Sequence, residues 1–252
     1  MLFALLSRPV DSAGLDPLIG LLPVAIPPLA WVVVGVGILI VISIALYAEL
    51  VLAEGTHLGQ WTVTALYNAT AHRYEAIKQF NPTHDDSDLG EPLLLALEAA
   101  GVTQPRILDV GAGTGRLART LARQPNFTGH LIGLDPARQM LAHADAPHTT
   151  FVLGRGETLP FPTASVDAVV CLETLEFTTR PAAVLAECVR VLRPGGVLLI
   201  TNRVGLDRWL LAGKIWTRPQ FRRVLGQHPL SEIQVYPWLD IYDLAWATKT
   251  TA

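Results

Sequence analysis

Charge is what this 252-residue chain has little of. Only 16% of its residues are Asp, Glu, Lys or Arg, while half are hydrophobic; a soluble domain usually has about a quarter of its residues charged. The deficit is concentrated. "PLIGLLPVAIPPLAWVVVGVGILIVISIALYA", residues 17–48, passes without one charged side chain. Its last part, 28–48, would be about 31 Å long as a helix, enough to cross a hydrocarbon core of about 30 Å. Pro28 suits a helix start, where its missing N–H costs nothing. Trp31 and Tyr47 stand near the two ends, where amphipathic rings favour the lipid–water boundary. The run is too long and too uniform for a buried soluble helix. A cleaved signal peptide needs a shorter apolar core, and no convincing cleavage site lies near Ala53. Arg8 is the only Lys or Arg before Arg73, so flanking charge does not set an orientation.

Cysteine is scarce too. Cys171 falls in a strand pattern and Cys188 in a helical one, without metal-ligand partners at close spacing. This excludes a disulfide framework or a zinc knuckle and fits buried thiols in a reducing compartment. An excess of either charge sign is also missing. Residues 73–252 carry 18 basic and 18 acidic side chains, so no overall field attracts a nucleic acid backbone. No feature calls for an obligate protein partner.

What is present is order of another kind. After "EGTHLG", residues 60–80 place Trp61, Ala65, Tyr67, Ala71, Tyr74 and Ile77 at helical spacing. "NPTHDDSDLGEP" reads as a turn-rich, solvated acidic loop. Strands and helices then alternate. "RILDV", "HLIGLD", "TTFVLG", "VDAVVCL" and "GGVLLITN" are strand candidates, with "RLARTLARQ", "ARQMLAHA" and "RPAAVLAECVRVLR" as helices between them. "IQVYPWL" and "IYDLAWATK" form two further strands joined by a tight turn at Asp240. Apolar strands separated by helices of about ten residues describe a sheet covered on both faces. The expected organisation is a short apolar segment (1–27), a transmembrane anchor (28–50), a connecting helix and site cover (51–92), and an α/β domain (93–252).

The loop Gly111-Ala112-Gly113-Thr114-Gly115 follows the first strand, where α/β folds bind ligands. Nucleoside triphosphates, dinucleotides and S-adenosylmethionine (SAM) all use glycine-rich turns. A triphosphate loop needs Gly-Lys-Ser/Thr, but Arg116 and Leu117 follow here. A dinucleotide loop needs a third glycine where Arg116 stands, for close helix–strand packing. Asp109 would oppose a pyrophosphate, yet can meet an ammonium group; its other possible role is to hydrogen-bond the loop amides. Asp135, after the second strand, is placed to receive two ribose hydroxyls, which suits SAM and NAD equally.

These blocks resemble the class I SAM-dependent methyltransferases, particularly the UbiE-like or methyltransferase type 11 branch. "ILDVGAGTGRLA" and "IGLDPARQML" resemble its first two motifs; "GRGETLPFPTASVDAVVCLETLEF" and "ECVRVLRPGGVLLITNR" resemble two later ones. The resemblance implies a Rossmann-like fold, with a mostly parallel sheet flanked by helices and an antiparallel C-terminal strand. It implies SAM as cofactor and S-adenosylhomocysteine as product. Asp109, Gly111, Ala112, Gly113 and Gly115 would surround the amino acid portion and Asp135 the ribose. Pro136, Met140, Gly156 and Glu157 would lie beside the adenosine, and Tyr74 at the edge of the site. Relatives often carry Asp where this chain has Arg155, which has donors and no acceptor for an adenine amine. They commonly carry His where it has Phe177, which removes a near-neutral base. Glu173 and Glu176 are then the candidate catalytic carboxylates, beside the reacting methyl.

Between the fifth and sixth strand candidates, Arg203–Gly226 mixes Lys and Arg with Trp209, Trp216 and Phe221. Beside an anchor, this mixture reads as an interfacial surface for anionic lipid. The combined expectation is a single-pass membrane methyltransferase. Its domain would face the cytoplasm, where SAM is found, and act on a small hydrophobic or lipid-associated acceptor. A non-catalytic SAM-binding scaffold and a dinucleotide oxidoreductase are the rivals.

Overall fold

The strand–helix alternation is realised in the computed structural model, which describes residues 27–251. The expected segment 1–27 lies almost wholly outside the described residues. β1 (Arg106–Val110), β2 (His130–Asp135), β3 (Thr149–Leu153), β4 (Val166–Cys171) and β5 (Leu192–Arg203) are parallel. With β6 (Leu230–Trp238) and β7 (Tyr242–Lys249) they form one sheet in the order β3-β2-β1-β4-β5-β7-β6. β7 lies between β5 and β6 and is antiparallel to both. Residues 239–241 form the expected turn between β6 and β7.

Nine α-helices occur among the described residues: α1 (Pro28–Tyr47), α2 (Gln60–Thr70), α3 (Tyr74–Lys78), α4 (Pro82–Asp85), α5 (Glu91–Ala99), α6 (Arg116–Arg123), α7 (Arg138–Ala142), α8 (Pro181–Val191) and α9 (Arg218–Leu225). Successive residues of a strand point to opposite faces. Ile107 of β1 accordingly joins Leu93 and Leu97 of α5 and Leu117 and Leu121 of α6. Its neighbour Leu108 joins Val184, Leu185 and Cys188 of α8 and Phe221 and Leu225 of α9. Because both faces are covered, β1, β4 and β5 are apolar almost without alternation.

α1 is apolar on every side, exposes its side chains and continues as a wide turn through Leu52. The stretch Pro28–Leu52 is long and apolar enough to cross a membrane. Two compact units divide near its end, one closing at Ala45 and the other running from Leu46 to Ala252. The cover therefore belongs to the same unit as the sheet.

Residues 81–92 are not an irregular loop. Asn81 caps α4, its side-chain oxygen accepting from Thr83 N–H at 3.0 Å, and Pro82 occupies the first helical position. A wide helical turn, Asp86–Gly90, leads directly into α5. Turn-forming residues here serve a helix start rather than a loop.

Candidate active site

The sheet order reverses between β1 and β4, and a cavity opens beyond the carboxyl ends of these strands. Its floor is the 109–114 loop. Gly111 has φ +81°, and a Cβ there would meet Thr174 Oγ1 at 2.1 Å, so the chain after β4 closes directly on this glycine. Gly113 has φ +54° and faces Met140. Glycine is required at both, for close approach at the first and backbone conformation at both.

The loop amides find other acceptors than Asp109. Gly111 and Ala112 N–H donate to the Leu134 carbonyl, and Gly113 N–H donates to Asp135 Oδ2 at 3.0 Å. None of them uses Asp109. That carboxylate is 4% exposed and lines the cavity without a hydrogen-bond partner among the described residues. Burial, and then the nearby Asp135 carboxylate, push it up to about 7, with Arg116 acting in the opposite direction. A buried carboxylate without a partner is costly, and an incoming ammonium group would offset that cost. Asp135 accepts additionally from Ala137 N–H at 2.7 Å. Burial raises it to about 6 against the lowering effect of its two backbone donors. Each of its oxygens retains lone-pair capacity for a diol.

Ala112, Pro136, Met140, Gly156 and Tyr74 also line the cavity, as expected. Three expected residues do not. Gly115 starts α6 in the left-handed region, φ +84°, so its role is the turn. Glu157 is buried and accepts from Thr179 N–H at 2.9 Å, fastening the chain that follows Phe177. Glu176 lies in the single tight turn Leu175–Phe177, which sends Phe177 to the cavity and Glu176 into the core. There Tyr242 Oη donates to Glu176 at 2.6 Å, and burial pushes the carboxylate up to about 7.

Glu173 does reach the cavity, but between two cations. Arg116 Nη1 donates to it at 2.7 Å and Lys78 Nζ at 3.1 Å. Its own N–H donates to Thr201 Oγ1 at 2.6 Å. Arg116 also grips Asp85 through two nitrogens, the shorter bond 2.6 Å, and lies 4.2 Å over the Phe80 ring. Instead of obstructing β1, the residue at the third-glycine place joins the cover to the floor.

Two more arginines of α6 repeat this contact on successive turns. Arg119 holds Glu75 at 2.6 Å, and Arg123 holds Asp86 at 2.8 Å. Trp238 Nε1 donates to Asp88 at 3.1 Å. The acids expected to be solvated are thus fasteners of the cover. The available signal was the basic spacing 116, 119 and 123 on one helix, matched to acids at 75, 85 and 86.

The roof is aromatic. Tyr67 lies between Tyr74 and Phe177, ring centroids 5.9 and 5.7 Å away, and donates to Glu54 at 2.7 Å. Burial raises both tyrosines, so their hydroxyls stay protonated. Gln60 lines the rim, where Arg155 Nε donates to its oxygen at 2.8 Å; Arg155 secures the cover.

The basic segment after β5 also differs from expectation. Arg218 pairs at 2.6 Å with fully buried Asp243, and Arg222 donates to the Val235 carbonyl at 2.7 Å. Lys214 donates to the Thr178 and Thr179 carbonyls. Lys214, Arg218 and Arg222 thus each hold a partner within the fold, while Arg208 and Arg223 are exposed.

Residues 108–200 match the family model of a methyltransferase domain, type 11. A "Ubiquinone biosynthesis O-methyltransferase" of Sodalis glossinidius is 31% identical over 59% of this chain and 61% of its own length. One of the same name from Hahella chejuensis is 33% identical over 52% of this chain and 57% of its own. The chain thus spans about three fifths of these curated relatives. Among solved structures, the [4+2]-cyclase SpnF superposes with a TM-score of 0.61 at 17% identity, covering 77% of this chain and 98% of that one. A SAM-dependent methyltransferase from Aquifex aeolicus superposes at 0.51 with 18% identity, covering 68% and 100%. These structural likenesses establish the fold. With the motifs quoted above, the match over residues 108–200 shows a domain similar to the type 11 methyltransferases, and its cavity sets two buried carboxylates, Asp109 and Asp135, beside the glycine loop.

Proposed function

We propose that the protein transfers a methyl group from SAM to a small, hydrophobic, membrane-associated acceptor while anchored by its N-terminal helix. The carrying observation is a cavity with two unlike halves. Asp109 and Asp135 stand on one side and Tyr67, Tyr74, Phe80 and Phe177 on the other, within one lining. When bound, SAM supplies an electrophilic methyl group on a sulfonium.

The protein's part is to align an acceptor and exclude water, which requires no covalent residue. Asp109 would face the cofactor's ammonium group and Asp135 its ribose hydroxyls. The aromatic roof would hold a flat apolar acceptor and keep water out. Glu173, fixed between Arg116 and Lys78, would accept a hydrogen bond from an acceptor hydroxyl and orient it. Glu176 is too deeply buried for that role. The relatives' names speak for oxygen methylation of a quinone-type ring over a lipid amine. A charge-free helix of membrane-crossing length supports the anchor, and the supply of SAM supports a cytoplasmic domain.

The test supplies isotopically labelled SAM to membranes from cells with and without the protein, then separates lipids, soluble metabolites and polypeptides. Protein-dependent label in the organic extract is expected, and mass analysis identifies the acceptor. Label confined to water-soluble metabolites or polypeptides would overturn the acceptor class. Binding of SAM without any transfer would favour a scaffold.

A further inference from the structure

The cover helix α2 has two unlike sides. Gln60, Val63, Thr64 and Tyr67 line the cavity, while Trp61 is 83% exposed and Leu58, just before the helix, is 54% exposed. A tryptophan this exposed on a cavity cover forfeits a large apolar burial. Nothing in the cover's own packing accounts for it.

Glu49 shows what lies beside these side chains. Its carbonyl accepts from Gly55 N–H at 2.8 Å, and its carboxylate accepts from His57 N–H at 2.9 Å and contacts His57 Nδ1 at 3.1 Å. The chain leading into α2 is thereby folded back onto the turn Ala48–Leu52, which exposes Leu50, Val51 and Leu52. The same turn packs against Leu206–Leu211, from which Trp209 projects at 72% exposure. Three aliphatic side chains, Leu58 and two tryptophans therefore surround one short, hydrogen-bonded junction.

We propose that Leu58, Trp61 and Trp209 form an interfacial face that lies in the lipid–water boundary. The cover then rests on the bilayer with its inner side over the cavity. The inference rests on the reading of Pro28–Leu52 as a membrane span. Leu52 ends that stretch, and His57, next to Leu58, is pinned to Glu49 within it, so a spanning helix leaves these side chains at boundary depth. Tryptophan is the residue favoured there, its ring in the apolar layer and its N–H toward water. Trp209 of this face belongs to the basic segment expected at the lipid surface, in which Arg218 and Arg222 hold partners within the fold. It also commits the acceptor to an amphiphile dissolved in the lipid, reaching the cavity beneath α2.

The test uses the full chain reconstituted in vesicles of phosphatidylcholine and phosphatidylglycerol. Nitroxide labels are attached in turn to Trp61→Cys, Ile40→Cys and Leu95→Cys. Cys171 and Cys188 are fully buried, so they stay unlabelled. Relaxation by oxygen, which partitions into lipid, is compared with relaxation by a water-soluble nickel chelate. The label at 61 should favour oxygen, as should the one at 40, while the label at 95 on exposed α5 favours nickel. A label at 61 that behaves like the one at 95, with 40 still in lipid, sinks this inference and leaves the anchor standing. Nickel access at 40 removes the anchor and the inference together. Shielding of 61 from both reagents would mean a protein partner, which also overturns the lipid assignment.

Discussion

The two halves of the cavity were built by different means. The half proposed for the cofactor is made from backbone at the ends of β1 and β2, with its key residues within 31 positions, from Asp109 to Met140. The half proposed for the acceptor is assembled from distant partners: Arg116 with Asp85 and Glu173, Lys78 with Glu173, and Arg155 with Gln60. A local half keeps its geometry because the strands hold it. An assembled half depends on each pair.

Removing the link between the halves should have the largest effect. Arg116→Met would leave Asp85 and Glu173 without their main partner, both nearly buried. Breaking such a pair costs about 3–5 kcal/mol, read as a fall in thermal unfolding temperature and faster proteolysis near residues 79–90. A change under about 1 kcal/mol would mean that the cover does not depend on this clamp.

Gly111→Ala tests the local half. The added Cβ would collide with Thr174 at a left-handed position, costing about 2–4 kcal/mol from overpacking and backbone strain together. Calorimetry should show SAM binding lost. Intact binding would show that the loop can shift away from Thr174.

Asp109→Asn separates stability from binding. A carboxyl whose pKa is raised on folding stabilises fully below its unfolded value, near 3.8, and loses that contribution as pH climbs through about 7. Asp135, raised to about 6, and Glu176, raised to about 7, act in the same direction. The ligand-free protein should therefore unfold at a lower temperature at pH 8 than at pH 5, and SAM should bind more tightly at pH 8. The asparagine variant should flatten the first slope, gain about 1–3 kcal/mol at pH 8, and lose about 1.5–3 kcal/mol of SAM affinity. A variant equal to the parent in both respects would remove Asp109 from the ammonium site.

The outer clamp should matter least. Arg123→Gln disrupts a half-exposed pair with Asp86 and should change stability by less than about 1 kcal/mol. Unfolding midpoints at low and high salt check this, since the parent's small advantage should vanish in salt.

The same division governs what could be read from the residues alone. Strand periodicity placed all seven strands, and the antiparallel C-terminal strand was anticipated. The glycine loop and the two aspartates fall where their motif puts them, because local spacing encodes local geometry. Glu176 was misplaced because one tight turn sends neighbouring residues in opposite directions. The acids at 85 and 86 looked solvated because their segment was read by itself, without its match to the arginines at 116 and 123. Arg218 looked like a surface cation for the same reason, its partner Asp243 being buried in β7. Trp61 follows the helical period, yet its exposure is visible only once α2 is seated on the cavity.

The most direct test of the central claim is calorimetric titration of the full chain, in detergent, with SAM, S-adenosylhomocysteine and NAD at pH 8, for the parent and for Asp135→Asn. The expected result is saturable binding of SAM and S-adenosylhomocysteine, weakened by about 1.5–3 kcal/mol in the variant as a charge-assisted acceptor is lost, with no response to NAD. Tighter binding of NAD and none of SAM, or SAM affinity untouched by Asp135→Asn, would contradict the assignment of this cavity.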